Sequence, residues 1–349
     1  MRLSTPLPPG SHFALRERHI GLLVDPANGR PLQISRADRR KDDKVIEGEL
    51  REPVSGAIYP IAGGIPRFVS AESYAASFGF QWNRHAATQH DKHSGLGISA
   101  KRFRDVTKWG SDLHGWRILE AGCGSGRFTS HALDTGAMIV SFDVSRSVDA
   151  VAAQIGARDN LLLIQADIYT LPLRPHSFEG VYCFGVLQHT PHPRDSFMAL
   201  CRMLAPGGRI ATDVYPRDVG RYWLNTKYWV RPVTRRMRPE MLYRLTRGYV
   251  ERVWPLARAV RRIPHIGPTL VWRMLVADYS REFPNASDEQ LKEWAVLDTF
   301  DMLSPAYDYP QTAAEFRSWH QKAGLIDIEV VRGHNGWEGR GTLPQDWLQ

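Results

Sequence analysis

Residues 117–128, RILEAGCGSGRF, decide the fold. A short apolar run ends in Glu120 and then places glycine at every second position, Gly122, Gly124 and Gly126. Glycine tolerates positive φ and puts no side chain between backbone and ligand, so the spacing predicts a strand that turns sharply into a loop of close approach. A helix is expected over about 127–134, with its free amide groups facing an anionic part of whatever the loop holds. Taken alone, the pattern also fits an ordinary strand-to-helix turn.

The segments that follow separate these readings. GAMIVSFDVS predicts a second strand, apolar over 137–140 and ending at Asp143. That acid stands about 20 residues beyond the loop, where a carboxylate can accept ribose hydroxyls. NLLLIQAD predicts a third strand ending at Asp167, FEGVYCFGVLQHT a fourth through Val181 to Leu187, and GRIATDVYP a fifth behind the turn APGG. In a doubly wound sheet these ends open onto one crevice. A dinucleotide loop requires Gly-x-Gly-x-x-Gly, and counting from Gly122 puts Arg127 at the third glycine, which disfavours that cofactor.

Together the motifs resemble the class I S-adenosylmethionine-dependent methyltransferases, over roughly residues 116–216 and in a terminal helix and hairpin. The resemblance implies an α/β fold: a Rossmann-like, seven-stranded, doubly wound sheet with an antiparallel C-terminal hairpin. It implies that Glu120, Gly122, Gly124 and Gly126 hold the methionine portion of S-adenosyl-L-methionine. Asp143 would hold the ribose, Asp167 with Ile168 the adenine, and Gly185 completes the cofactor set. Arg104 is expected to meet the cofactor's carboxylate, with Arg102 competing for that role.

Composition fits this class. With 349 residues and 43% hydrophobic content the chain can bury a full core. Three cysteines, Cys123, Cys183 and Cys201, are an odd number within the expected cofactor fold, which argues against a disulfide framework or a metal cluster and fits a reducing compartment. The start, MRLSTPLPPGSHF, has no apolar signal core, and no stretch approaches the ~20 apolar residues of a membrane span, so a cytoplasmic protein is expected.

Five parts are expected along the chain: a small β-rich module over 1–70, a cap over 71–115, the core over 116–216, a helical lid insert over 217–310, and a helix and hairpin over 311–349 completing the core. The first part contains HIGLLVDP, KVIEGELREP and AIYPIAGGIPRFV, three β-like runs. Its frame resembles a zinc-ribbon module found with methyltransferases, but Asp25, Asn28, Glu52 and Ser55 stand where that module has cysteines, so a metal-free version is expected. The second part, SFGFQWNRHAATQHDKHSGLGISAKRFRDVTKW, is too polar for a core element and resembles a methyltransferase branch with FGxQWN and TQxD, associated with cell-surface glycans and specialised metabolites. As a cap it would wall the methyl end with Phe80 and Trp82 and offer hydrogen bonds from Gln81 and Asn83. His85, His90 and His93 read as solvated loop residues ahead of a metal cluster.

The insert is strongly basic. Fourteen arginines and lysines over 217–273 oppose only Asp218, Glu240 and Glu251, an excess larger than the whole chain's formal +8. Aromatics from Tyr222 and Trp223 to Trp272 are interleaved, and prolines 232, 239, 255 and 264 are expected to divide the helices into short pieces. Three readings stand: a solvated basic face over a buried aromatic stripe, peripheral contact with anionic membrane, and, less favoured, nucleic acid.

For chemistry, His189 in GVLQHTPHP is the candidate general base for a hydroxyl acceptor, with His192 second. Tyr215 at the end of strand five and Asp301 in AVLDTFDMLSPAYDYPQT are candidate substrate residues, although Asp298, Asp301 and Asp308 equally suit helix caps and turns. The expected function is methyl transfer to a hydroxyl of a small molecule or glycan unit. An RNA base methyltransferase and a non-catalytic cofactor-binding partner subunit are the alternatives.

Overall fold

The computed structural model describes residues 13–69, 74–86, 88–217 and 225–347, without the side chain of residue 76. Residues 1–12 and the insert's Asp218, Arg221, Tyr222 and Trp223 lie outside the described residues. The first strands, β1 (Leu15–Arg16), β2 (Gln33–Lys41), β3 (Lys44–Arg51), β4 (Ile58–Ala62) and β5 (Ile65–Pro66), form one antiparallel sheet. HIGLLVDP departs from the expected strand: Glu17–Leu22 is a 3-10 turn, and Leu23 and Val24 make only isolated bridges. β2 carries no apolar alternation and is almost wholly exposed; pairing with β3 defines it, which explains why its own residues do not announce it. Leu23, Leu32, Val45 and Leu50 share one apolar cluster with Leu119, Val140 and Leu162, so the module has no core apart from the large sheet. Arg67 clamps the contact, donating to Gln165 Oε1 at 2.8 Å and pairing with Asp149 at 2.6 Å.

Asp25, Asn28, Glu52 and Ser55 are drawn together by hydrogen bonds. Asp25, 1% exposed, accepts from Ala27 N, Asn28 Nδ2 and Tyr59 Oη at 2.9, 2.9 and 2.8 Å. Glu52, equally buried, accepts from Val54 N at 2.9 Å and from Ser55 N. Ser55 Oγ donates to Asp25 at 3.5 Å, joining the two loops.

Three helices lead into the core: α1 (Ala76–Arg84), α2 (Asp91–Ser94) and α3 (Ile98–Thr107). The expectation that this stretch is too polar for a core element fails in α3. Phe103 and Val106 are buried with Trp109 and Tyr182, because the helical period collects the few apolar residues on one side. His85 and His90 are not solvated either. Each is half-buried, His85 Nε2 against Tyr243 Oη at 2.8 Å and His90 Nε2 against the Ser125 carbonyl at 3.0 Å.

The core then alternates β6 (Arg117–Ala121), α4 (Thr129–Leu133), β7 (Met138–Asp143), α5 (Ser147–Ile155), β8 (Leu161–Gln165), β9 (Phe178–Cys183), α6 (Pro193–Cys201) and β10 (Leu204–Val214). β9 stops at Cys183, not Leu187; Gly185 takes φ 74° and a 3-10 turn, Leu187–His189, follows. After the insert come α11 (Ala313–Lys322) and a closing hairpin of β11 (Ile326–Gly333) and β12 (Gly336–Thr342), giving the strand order β11-β12-β10-β9-β6-β7-β8. β6 to β10 run parallel, and only the hairpin is antiparallel. This is the seven-stranded, doubly wound Rossmann-like sheet the motifs imply.

The insert is helical: α7 (Lys227–Thr234), α8 (Pro239–Val260), α9 (Gly267–Arg273) and α10 (Asp288–Leu303), followed by α11 (Ala313–Lys322), β11 (Ile326–Gly333) and β12 (Gly336–Thr342). Pro255 does not divide it: α8 runs 22 residues straight through that position. An interior proline costs about 3 kcal/mol, and the buried face of Leu242, Tyr243, Val250, Trp254 and Ala257 offsets it. Pro239 instead starts α8, where a missing N–H costs nothing. No described helix is long and apolar enough to cross a membrane.

Candidate active site

One cavity of about 750 Å³ lies at the carboxyl ends of the parallel strands. Its strand-side wall is built by Gly122, Gly124 and Ser125 after β6, Asp143 and Val144 at the end of β7, Ala166 and Ile168 after β8, and Phe184 and Gly185 after β9. The loop works through its backbone. Gly122 and Gly124 take φ 71° and 53°, and a Cβ on them would stand 2.3 Å from Val186 Cγ2 and 3.2 Å from Trp82 Nε1. Only glycine fits there.

Asp143 is held rigidly. Ser145 N and Oγ both donate to its Oδ1 at 2.8 Å, and Gly124 N donates to Oδ2 at 3.2 Å. Burial raises its carboxyl above the usual aspartate range despite those bonds. A carboxylate beside an apolar slot of Ala166 and Ile168 suits a ribose joined to a flat base, so the residues present fit an adenosine-bearing group.

Several expected cofactor residues lie outside the cavity wall. Glu120 sits behind the loop, accepting from Thr129 Oγ1 at 2.5 Å and Ser141 Oγ at 2.6 Å, and burial lifts its carboxyl to about 7. It braces the loop by tying β6 to β7 and α4. Gly126 faces α5, where a Cβ would meet Ile155 Cδ1 at 3.0 Å. Asp167 turns back to accept from Tyr169 N at 3.0 Å, leaving its neighbours Ala166 and Ile168 on the wall. Arg104 is exposed; of the two, Arg102 lines the cavity. Two residues apart on a helix are rotated by roughly 200°, so only one could face inward. Arg102 pairs with the fully buried Asp213, which also accepts from Gly185 N at 2.6 Å, tying α3, β10 and the turn after β9 together.

The facing wall comes from α1, the insert and the hairpin. Trp82 and Phe78 line it, but Phe80 packs away among Tyr243 and Phe300, and Gln81, 1% exposed, is buried beside the cavity without lining it. Asn335 and Arg332 from the hairpin reach the cavity; His334 instead meets Asp105 at 2.9 Å.

His189 lines this side, 6% exposed, between Phe78 and Tyr215 with ring centroids at 5.2 and 5.3 Å. Its Nδ1 lies 3.0 Å from the Tyr307 carbonyl, which accepts only, so Nδ1 carries the proton and donates. Nε2 is then the lone-pair nitrogen, and it is buried without a partner among the described residues. Burial pushes the imidazole down to about 4, so it is neutral at pH 7.

The acids are neither caps nor turn formers; Ser287 and Thr312 cap α10 and α11 with complete capping boxes. Asp298 and Asp301, on α10, line the cavity. Burial lifts Asp298 to about 6, and burial with the Asp298 charge lifts Asp301 to about 7. Asp308 pairs with Lys227 Nζ at 2.7 Å and lies 3.8 Å from Arg231 Nε. Burial pushes its carboxyl up, but Lys227, His189 and Arg231 outweigh that and hold it low. Lys227 and Arg231 are therefore basic residues of the insert that turn inward. Lys227 lies 5.2 Å from the centre of the Tyr215 ring, itself in the wall.

Residues 119–212 match a family model described as methyltransferase domain. The ubiquinone biosynthesis O-methyltransferase of Vibrio cholerae is 26% identical over 128 residues, covering 36% of this chain and 52% of that one. The malonyl-[acyl-carrier protein] O-methyltransferase of Enterobacter lignolyticus is 29% identical over 160 residues, covering 43% and 56%. The chain thus spans about half the length of the curated relatives it matches. Human N-acetylserotonin methyltransferase, solved with S-adenosylmethionine, is similar at a TM-score of 0.43 and 15% identity, over 79% of this chain and 60% of that one. Residues 119–212 are therefore a methyltransferase domain, and S-adenosylmethionine is its cofactor.

Proposed function

We propose that the chain O-methylates a hydroxyl of a small, polyhydroxylated acceptor, a glycan unit or a specialised metabolite, with His189 as general base. S-adenosylmethionine supplies a methyl group on a sulfonium, open to in-line attack. The protein's part is to hold the acceptor oxygen in line with that methyl, which can supply on the order of 7–11 kcal/mol, and to take the proton. The observation that carries the reading is the state of His189: a neutral imidazole in the cavity lining, with Nδ1 engaged and Nε2 buried without a partner among the described residues. His189 Nε2 would take the hydroxyl proton as the acceptor oxygen gained the methyl group, and the bond pair released would remain with the donor's sulfur. Asp298, Asp301, Asn335 and Tyr215 supply acceptors and donors in the number that several hydroxyls demand.

On the strand side, Asp143 would take the ribose hydroxyls, Ile168 would pack on the adenine, and Arg102 would meet the carboxylate. The test uses the chain, deuteromethyl-labelled S-adenosylmethionine and a fractionated extract of hydroxylated metabolites, read by mass spectrometry. Labelled methyl ethers are expected. His189→Ala should lower turnover by about 10²–10⁴-fold while S-adenosylhomocysteine affinity, measured by calorimetry, stays within about threefold. Near-normal turnover in that variant removes His189 as the base, and label on nitrogen or carbon alone removes the hydroxyl reading.

A further inference from the structure

The outer side of the insert is apolar where a solvated helix is polar. An ordinary surface helix has one apolar stripe, facing its core. α8 has two. Beside its buried face, rotated from it by roughly 120°, Met241, Leu245, Tyr249 and Leu256 recur at intervals of four, four and seven residues and form a second stripe in solvent. Ile263 and Ile266 carry it across the turn, and Leu270 extends it onto α9. Each of the seven is between 39 and 57% exposed, and together they make up half of the exposed large apolar side chains in the described residues. The Tyr249 hydroxyl donates to the Met274 carbonyl, just past α9, so the two helices present adjoining surfaces.

This stripe is flanked by unneutralised charge. Arg247 pairs with Glu251, Arg258 with Asp288, and Arg261 with Asp278 and Asp288. Arg244, Arg252 and Arg262, all exposed, make no ion pair among the described residues. Arg252 lies within the apolar stripe itself, one turn before Leu256.

We propose that this face of α8 and α9 docks on an anionic lipid surface, seating its apolar stripe among the headgroups and its arginines against lipid phosphates. Such a surface answers both features at once, apolar burial and positive charge. A second copy of the chain answers one of them, because a two-fold interface would set the same arginines against each other. Nucleic acid would meet the arginines through phosphates and leave the aliphatic stripe in water. The docking also orients the cavity. Thr269 of α9 is both exposed and part of the cavity wall, and Trp272 and Arg273 follow it into the interior. A chain lying on α8 and α9 therefore holds the cavity mouth at the lipid interface. If the methyltransfer reading holds, the acceptor then reaches His189 from the membrane side.

The experiment is co-sedimentation of the full chain with phosphatidylcholine vesicles and with vesicles half phosphatidylglycerol, at low and high salt. Binding to the anionic vesicles is expected, weakened about tenfold or more by high salt and by either pair of substitutions, Leu245→Glu with Leu256→Glu or Arg244→Glu with Arg252→Glu. S-adenosylhomocysteine affinity should be unchanged in both pairs, which certifies the fold and is read independently of methyl transfer. Equal binding to both vesicle types, or variants that sediment like the parent chain, overturns the proposal. So does a dimer that dissociates in the Leu245→Glu pair, or RNA retention that the arginine pair abolishes, when vesicle binding is absent.

Discussion

The two walls of the cavity are built on different principles. The strand-side wall is made of backbone: glycines at positive φ, amides that fix Asp143, and strand ends in register within one sheet. The insert wall is made of side chains that meet across long separations, Lys227 with Asp308 and His189 with the Tyr307 carbonyl. A backbone wall fixes one ligand shape, whereas a wall of paired side chains can be respecified by exchanging them. That division suits an enzyme whose cofactor is constant and whose acceptor is particular.

The largest effect that would test the contrast is at the ion pair. Asp308→Ala leaves Lys227 and Arg231 buried without their counter-charge and should cost about 3–5 kcal/mol of stability by denaturant unfolding. Little change would mean that the insert wall is not held by that pair. Asp301→Asn should have a pH-dependent effect. A carboxyl raised to about 7 in the folded chain is stabilising in its neutral form, and that stability is lost as pH rises from the unfolded value toward 7. The amide should therefore stabilise the chain at pH 8, by as much as about 4 kcal/mol, and hardly at all at pH 4. Melting curves at the two pH values decide it, and a pH-independent difference sinks it.

At the strand-side wall, Asp143→Asn should reduce S-adenosylhomocysteine affinity about 10- to 150-fold, the worth of charged hydrogen bonds to ribose, while leaving Asp301 to titrate as before. The smallest contrast separates two arginines. Arg104→Ala should fall within about 0.5 kcal/mol of the parent in stability, whereas Arg102→Ala should weaken binding measurably because it frees Asp213. Equal effects would return Arg104 to the cavity.

What was legible in the chain follows the same division. The strands, the glycine loop and Asp143 are short-range signals, each set by neighbours within a few residues. Glu120 was legible as part of the loop but not as its brace, since its partners Thr129 and Ser141 come from the next helix and the next strand. The Lys227–Asp308 pair spans too many residues for any local pattern to join it. Lys227 reads as one basic residue among fourteen, and its burial depends on α7 packing over the cavity. Helical phase distinguishes Arg102 from Arg104, because Arg102 stands one turn from both the buried Ser99 and Val106. β2 carries no apolar alternation of its own, and Pro255 does not break α8 because the face that compensates it is spread over four turns.

The joined loops at Asp25 and Glu52 have a consequence for the environments in which the chain survives. A knuckle closed by thiolates and a metal opens to oxidants and chelators. This one is closed by carboxylates receiving amide and hydroxyl protons, with the Ser55 and Val54 bonds holding Glu52 down to about 2. Its contribution is complete above the ordinary glutamate range and disappears as the pH falls toward 2. Acid is therefore a chemical stress to which that end of the molecule answers.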